Sequence, residues 1–374
     1  MNPNLSRSCR ALSRRDFLGC AAAAGVLATV KTMPACAAES PSAAASSQVQ
    51  AHAVAFGRDW AKIRGFNYQP SYGSSGFELW QKFDAPTIDV ELGRGKKYFP
   101  HINAIRFWLS WDSFNRNPKQ FAANFEAALA IAAKYQLVVL PTLFNRWHSQ
   151  ELDYGGIYAD HFLPGASWIQ SPTLFNAYME AIVGGHKDDA RILAWDLCNE
   201  PYAYNGPREN VPDIVKAETA WLKGLYDQCK KLGAKAPITV GIHPGVPLEL
   251  TEPISDILSV HPYWSHNSPN ASKAEYEQKL DADVTFANRV QKPLLATECC
   301  WGSLDDAVRV DSIRYTLTQL KKRNLGWLAY ILHHSLIADA HRPEFGPLGD
   351  PGNLAFIEAD GSLRPGHDVF NEFP

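Results

Sequence analysis

The chain lacks a dominant charge: 36 Lys and Arg stand against 39 Asp and Glu, a net charge of -3 at pH 7. Beyond its N-terminus it has no basic run, which leaves a nucleic-acid or anionic-membrane partner without electrostatic support. It has no Cys-x-x-Cys pair and no histidine spacing that reads as zinc, so a structural metal is not expected; separately, no cofactor is implied. Of its seven cysteines, Cys9, Cys20 and Cys36 sit near the N-terminus. The remaining Cys198, Cys229, Cys299 and Cys300 do not make a disulfide framework. No apolar run reaches the roughly 20 residues that span a bilayer. Finally, Gly65-Phe66-Asn67 is no Gly-rich phosphate turn, which argues against a doubly wound nucleotide-binding sheet.

What is present is a chain of 374 residues, 46% hydrophobic and 20% charged, enough to bury a large core. Eleven tryptophans and fourteen tyrosines fall in part near expected strand ends, where aromatic faces can stack on sugar rings; Trp111, Trp147, Tyr154, Tyr158, Trp168 and Trp264 are such platforms, with core packing the plain alternative. The N-terminus reads as an address. Ser13-Arg14-Arg15-Asp16-Phe17-Leu18-Gly19 is a twin-arginine pattern, followed by a weakly apolar stretch and the small-residue site Ala35-Cys36-Ala37. The expected organisation is a signal peptide over residues 1–37, a Ser/Ala-rich linker over 38–55 and one catalytic domain over 56–374, exported to the periplasm or medium with no membrane partner for the mature form.

Eight short apolar runs alternate with helical patterns. They are Ile63–Tyr68, Ala104–Ser110, Leu137–Phe144, Ile192–Asn199, Ile238–Ile242, Ile257–His261, Leu294–Glu298 and Trp327–Leu332. Near-continuous apolar character marks strands covered on both faces. Helical spacing is read over Gln120–Tyr135, Pro172–His186 (with Ser171 as its cap), Pro212–Leu232, Ser272–Val290 and Leu304–Lys322. The alternation predicts an α/β fold of the (β/α)8 TIM-barrel type in a single domain. Loops are expected over Gln69–Lys97, Asn145–Gln170 and His333–Gly366, the last leaving little helix after the eighth strand.

Two of these strands run straight into glutamates. The fourth ends Asp196-Leu197-Cys198-Asn199-Glu200-Pro201, and the seventh ends Ala296-Thr297-Glu298. The C-terminal ends of barrel strands hold the chemistry in this architecture. Retaining glycoside cleavage needs one carboxylic acid to protonate the departing oxygen and one carboxylate to attack the anomeric carbon, roughly 5 Å apart. Glu200 and Glu298 suit those parts, with a solvated loop charge as the plain reading of either alone. Arg106, amid the apolar second strand, suits a carboxylate partner.

The segment Trp195–Pro201 resembles the acid/base strand of clan A glycoside hydrolases, and the mature chain resembles the cellulase and mannanase family 5 type. The resemblance implies that Glu200 is the acid/base and Glu298 the nucleophile, with retention of configuration on a β-linked glucan, mannan or related carbohydrate. It implies that Arg106 hydrogen-bonds the nucleophile, that Asn199 holds the sugar 2-hydroxyl, and that in Val260-His261-Pro262-Tyr263 the tyrosine contacts the nucleophile and His261 the substrate or the acid. His148 matches a histidine near the end of strand three. Strand eight departs from the family: the usual terminal Trp is replaced by Ile331-Leu332-His333-His334-Ser335, so Trp301 is expected to supply the platform and His333 or His334 a hydroxyl contact. The alternatives are a non-catalytic carbohydrate-binding barrel and a transglycosylase using the same glutamates. A cysteine nucleophile at Cys198 or Cys299 is a third.

Overall fold

The computed structural model describes residues 54–146, 156–165, 168–204, 207–265, 272–339, 342 and 351–374, all within one compact unit from Ala43 to Pro374. Eight parallel strands close into a barrel: β1 (Arg64–Asn67), β2 (Ala104–Trp108), β3 (Val138–Asn145), β4 (Trp195–Asn199), β5 (Ile238–Ile242), β6 (Leu258–Val260), β7 (Leu294–Ala296) and β8 (Gly326–Ala329). All eight fall on the expected runs, because strands buried on both faces must be apolar nearly throughout. The barrel closes through Trp327 opposite Arg64 and Ala329 opposite Phe66. The (β/α)8 fold read from the sequence is therefore the fold observed.

Below β1, Val54–Ala55, the last residues of the expected linker, pair antiparallel with Arg58–Asp59. Arg58 donates to the carbonyls of Ala190 and Ile192, tying this hairpin to the approach to β4. Above it, Trp60, Ile63, Ala104, Leu140, Ile257, Leu295 and Leu328 form an apolar plug across the barrel floor. Burying such side chains stabilises the fold by about 1.5–3 kcal/mol each. In barrels of this kind the chemistry sits at the opposite, C-terminal mouth.

The connecting helices are α1 (Ala85–Tyr98), α2 (Pro118–Lys134), α3 (Asn176–Met179), α4 (Pro212–Leu232), α5 (Lys273–Val290) and α6 (Asp306–Lys322). Asn117 caps α2 through the Gln120 amide, ahead of Pro118. Ser272 and Glu275 form a reciprocal capping box on α5, and Gly233, at φ +80°, ends α4, a left-handed position that suits glycine.

Three expectations are corrected. The stretch Gln69–Lys97 is not a loop, for it contains α1 and the short helix Gly76–Gln81. Its helical signal is masked by Gly93 and Gly95, both closely packed: a Cβ at Gly95 would lie 2.9 Å from a Leu332 methyl, and one at Gly93 would lie 2.9 Å from the Tyr135 hydroxyl. The helix read from Pro172 begins only at Asn176, without a Ser171 cap, and widens into a π turn over Glu180–Gly184. Strand eight ends at Ala329 rather than Leu332, because Ile331 pairs instead with Leu354 and Phe356 of the returning tail. A 3-10 turn, His367–Glu372, stands where an eighth helix would close the pattern.

Candidate active site

Above the plug lies a buried polar layer centred on Arg106 of β2, which is fully buried. Its Nε and Nη2 donate to Asp196 Oδ2 of β4 at 2.9 and 2.7 Å. Its Nη2 also reaches Asn199 Oδ1 at 2.8 Å, and its Nη1 reaches Asn67 Oδ1 at 3.0 Å and Glu298 Oε1. Asp196 further accepts from Thr142 Oγ1 and from the Gly241 amide. One guanidinium thus ties β1, β2, β4 and the residue just past β7 into a single network. A buried charge persists only when so partnered.

Glu298 is 5% exposed. Its second oxygen accepts from the Tyr263 hydroxyl at 2.6 Å. Glu200, just past β4, meets His261 Nδ1 at 2.7 Å through Oε1, and the same nitrogen lies 3.6 Å from Glu298 Oε2. Glu200, His261 and Glu298 each offer an atom within 4.8 Å of the others. That grouping could in principle grip a cation, but both oxygens of Glu298 already accept from Arg106 and Tyr263. Positive charge is supplied here by the guanidinium.

Protonation follows from burial and neighbours. Burial alone would push the Arg106 guanidinium down, but Asp196 and Glu298 outweigh it and hold its pKa above the ordinary value. Desolvation, then Glu298, raises the Tyr263 phenol, keeping it a donor. Burial lowers His261 to about 4, so the ring is neutral near pH 7. Burial likewise lowers His333 to about 4 and His367 to about 3. Between pH 6.5 and 4 the unfolded chain therefore binds protons at these three positions that the folded chain does not. Stability should fall as pH drops through that window, by up to roughly 1.4 kcal/mol per group per pH unit. Urea midpoints between pH 7 and pH 4 check this: the loss should be reduced in His367→Gln.

Space for this arrangement comes from Gly241 on β5. A Cβ there would lie 2.7 Å from His261 Nε2 and 3.1 Å from Arg106 Nη2. Gly241→Ala should drive the imidazole away from Glu200. The expected result is a drop in kcat of about 10- to 100-fold with a stability loss of about 1–3 kcal/mol, read from kinetics and thermal melts.

Sequence comparison places this geometry among known enzymes. The profile of the family described as Cellulase (glycosyl hydrolase family 5) matches residues 96–335, more than half of the chain. The chain belongs to glycosyl hydrolase family 5. Mannan endo-1,4-beta-mannosidase F of Aspergillus clavatus is 27% identical over 108 residues, covering 27% of this chain and 24% of that protein. The match thus spans about a quarter of that curated relative. Among solved structures, an exo-beta-1,4-mannosidase from Opitutaceae bacterium strain TAV5 superposes with a TM-score of 0.62 at 20% identity, covering 83% of this chain and 58% of that one. A Bacteroidetes-affiliated cellulase gives 0.63 at 14% identity, covering 87% and 92%. At these identities the likeness is one of fold.

Within this family 5 barrel, Glu200, Glu298, Arg106, Asn199, His261 and Tyr263 are brought together as described. Trp301 is half-buried beside them, its ring edge-on to Tyr263 at 5.1 Å. His333 is not brought to the pair. It is 1% exposed, with Nε2 3.1 Å from Arg94 Nη1 of α1 and Nδ1 3.0 Å from the His334 carbonyl, so it holds the tail against α1. His334 instead meets Asp339. His148, Trp147 and Tyr154 lie outside the described residues, as does the expected signal. Trp264 is buried against Tyr315, and Trp111, half-buried, packs edge-on against Phe175. The four cysteines are buried free thiols; burial raises Cys198 and Cys299 well above the usual range and Cys229 to about 12, which does not suit a nucleophile.

Several residues of the site were not singled out from sequence. Asp196 and Asn67 anchor Arg106, and their signal was available: a carboxylate or amide inside a strand buried on both faces needs a partner. Tyr330 stands just past the end of β8, clustered with Trp108 and packed near Tyr263 and Trp301. An aromatic side chain is thus present there, two residues before the expected strand end.

Proposed function

We propose that this protein is a retaining glycoside hydrolase acting on a β-linked mannan or glucan, or on oligosaccharides derived from them. The observation that carries the reading is the carboxylate pair: oxygens of Glu200 and Glu298 lie within 4.8 Å of one another at the mouth of a family 5 barrel, the close spacing of a double displacement rather than the roughly 6.5–9.5 Å that leaves room for a water in inversion.

In this mechanism Glu298 is the nucleophile. Arg106 and Tyr263 hold its two oxygens and aim it at the anomeric carbon. Glu200, protonated, donates to the leaving oxygen, then as carboxylate takes a proton from the water that releases the sugar. His261, neutral, fixes the Glu200 side chain through Nδ1. Arg106 occupies Asn199 Oδ1, which leaves the Asn199 amide hydrogens for the sugar 2-hydroxyl. Tyr330 and Trp301 form the aromatic wall of the cleavage site, in place of a strand-eight tryptophan. The mannan-active names among the similar proteins favour a mannose-type substrate. The N-terminal pattern supports twin-arginine export of the barrel, with residues 1–37 as the signal and 38–55 as a spacer ending in the hairpin; among the described residues no helix is long and apolar enough to cross a membrane.

Reducing-sugar release from a panel of β-mannan, glucomannan, β-glucan and cellulose tests the assignment. Hydrolysis of a mannan-type polymer is expected. Binding without turnover of any of them would instead leave a carbohydrate-binding barrel.

A further inference from the structure

The backbone that presents Glu200 is unusual. Glu200 has φ +47° and Tyr202 φ +63°, two left-handed non-glycine residues around Pro201. Such conformations persist only where the surroundings over-determine them. Glu200 itself is held by its amide, which donates to the Gly241 carbonyl at 2.8 Å. Tyr202 is held by Glu218, a fully buried residue of α4.

Glu218 Oε2 accepts from the Tyr202 amide at 3.2 Å and from the Tyr204 hydroxyl. Its other oxygen accepts from Arg146 Nε at 3.1 Å. Arg146, just past β3, also donates to the Ala203 carbonyl at 3.2 Å and lies over the Tyr204 ring at 5.3 Å, while its own amide donates to the Asn199 carbonyl. Among the described residues, every polar contact of Glu218 thus ends on the segment that follows Glu200 or on the arginine that grips it. We infer that Glu218, acting with Arg146, is a positioning residue for Glu200: it fixes the turn from which the acid/base carboxyl projects and touches no substrate. This rests on the reading of Glu200 as the acid.

The test separates loss of acid placement from loss of fold. Protonic assistance matters for a poor leaving group and hardly at all for a very good one, so kcat/KM is measured on phenyl and 2,4-dinitrophenyl β-mannobiosides, and on the matching β-cellobiosides, with the pair that the wild type hydrolyses used for comparison. Glu218→Gln and Arg146→Lys should lose about tenfold more on the phenyl substrate than on the dinitrophenyl one. Tyr204→Phe, which removes one contact and keeps the ion pair, should show the same bias at smaller size and serves if the others do not fold. Equal losses on both substrates, or no loss on either, would overturn the inference. Glu200→Ala is run alongside: if it shows no leaving-group bias, the acid assignment fails, whereas a strong bias there with none in the Glu218 and Arg146 variants refutes only the positioning role.

Discussion

Glu298→Gln and Glu298→Ala should fold and lose at least about 10⁴-fold in kcat on every substrate, whatever its leaving group. The size follows from the role: without an attacking carboxylate the double displacement has no first step, and no neighbouring group is placed to replace it. The fold should survive because Arg106, left without Glu298, remains doubly bonded to Asp196 and bonded to Asn67 and Asn199. The guanidinium is never left as an unpaired buried charge. A melting temperature within a few degrees of wild type, with activity absent, is the expected pair of readings. Removing Arg106 itself should do both kinds of damage, since Asp196 and Glu298 would then face each other without a cation.

Glu200→Ala should behave differently. On unactivated glycosides it should lose about 10²- to 10⁴-fold, the usual worth of a positioned acid, while on a dinitrophenyl glycoside the first step proceeds nearly unaided and the glycosyl-enzyme accumulates for want of a base. Added azide, a small anionic nucleophile that needs no deprotonation, should then restore turnover and yield the β-configured glycosyl azide. The cavity left by the Glu200 side chain, next to neutral His261, gives the anion a place free of the repulsion that the carboxylate would exert. The absence of rescue together with full activity on phenyl glycosides would remove Glu200 from the mechanism.

The fold was legible because each barrel strand is covered on both faces and so is written as an apolar run. The two glutamates were legible because a charge directly after such a run has few structural reasons to be there. Other parts were hidden for reasons of the same kind. Helix α1 was obscured by two glycines that lower its helical propensity and sit close against Leu332 and Tyr135, so tertiary packing overrode local propensity. The Arg106 network joins residues far apart in the chain, Asn67, Asp196 and Glu298, and only closure of the barrel brings them together. Glu218 interrupts the apolar face of α4, among Trp221, Leu222 and Leu225; the interruption was readable, but not its partners. At strand eight the ladder stops at Ala329, so the aromatic side chain at the mouth is Tyr330, and His333 turns toward α1.

The central claim is that Glu298 is the nucleophile of a retaining mechanism, and trapping the intermediate tests it most directly. The wild-type protein is incubated with a 2,4-dinitrophenyl 2-deoxy-2-fluoro-β-glycoside of the preferred sugar, and the intact mass and the peptide map are measured. The account predicts stoichiometric addition of one fluoroglycosyl group, with burst release of dinitrophenol, on the peptide that carries Glu298, and no addition in Glu298→Gln. Label on any other residue, or turnover whose first-formed product is the α-anomer, would contradict it.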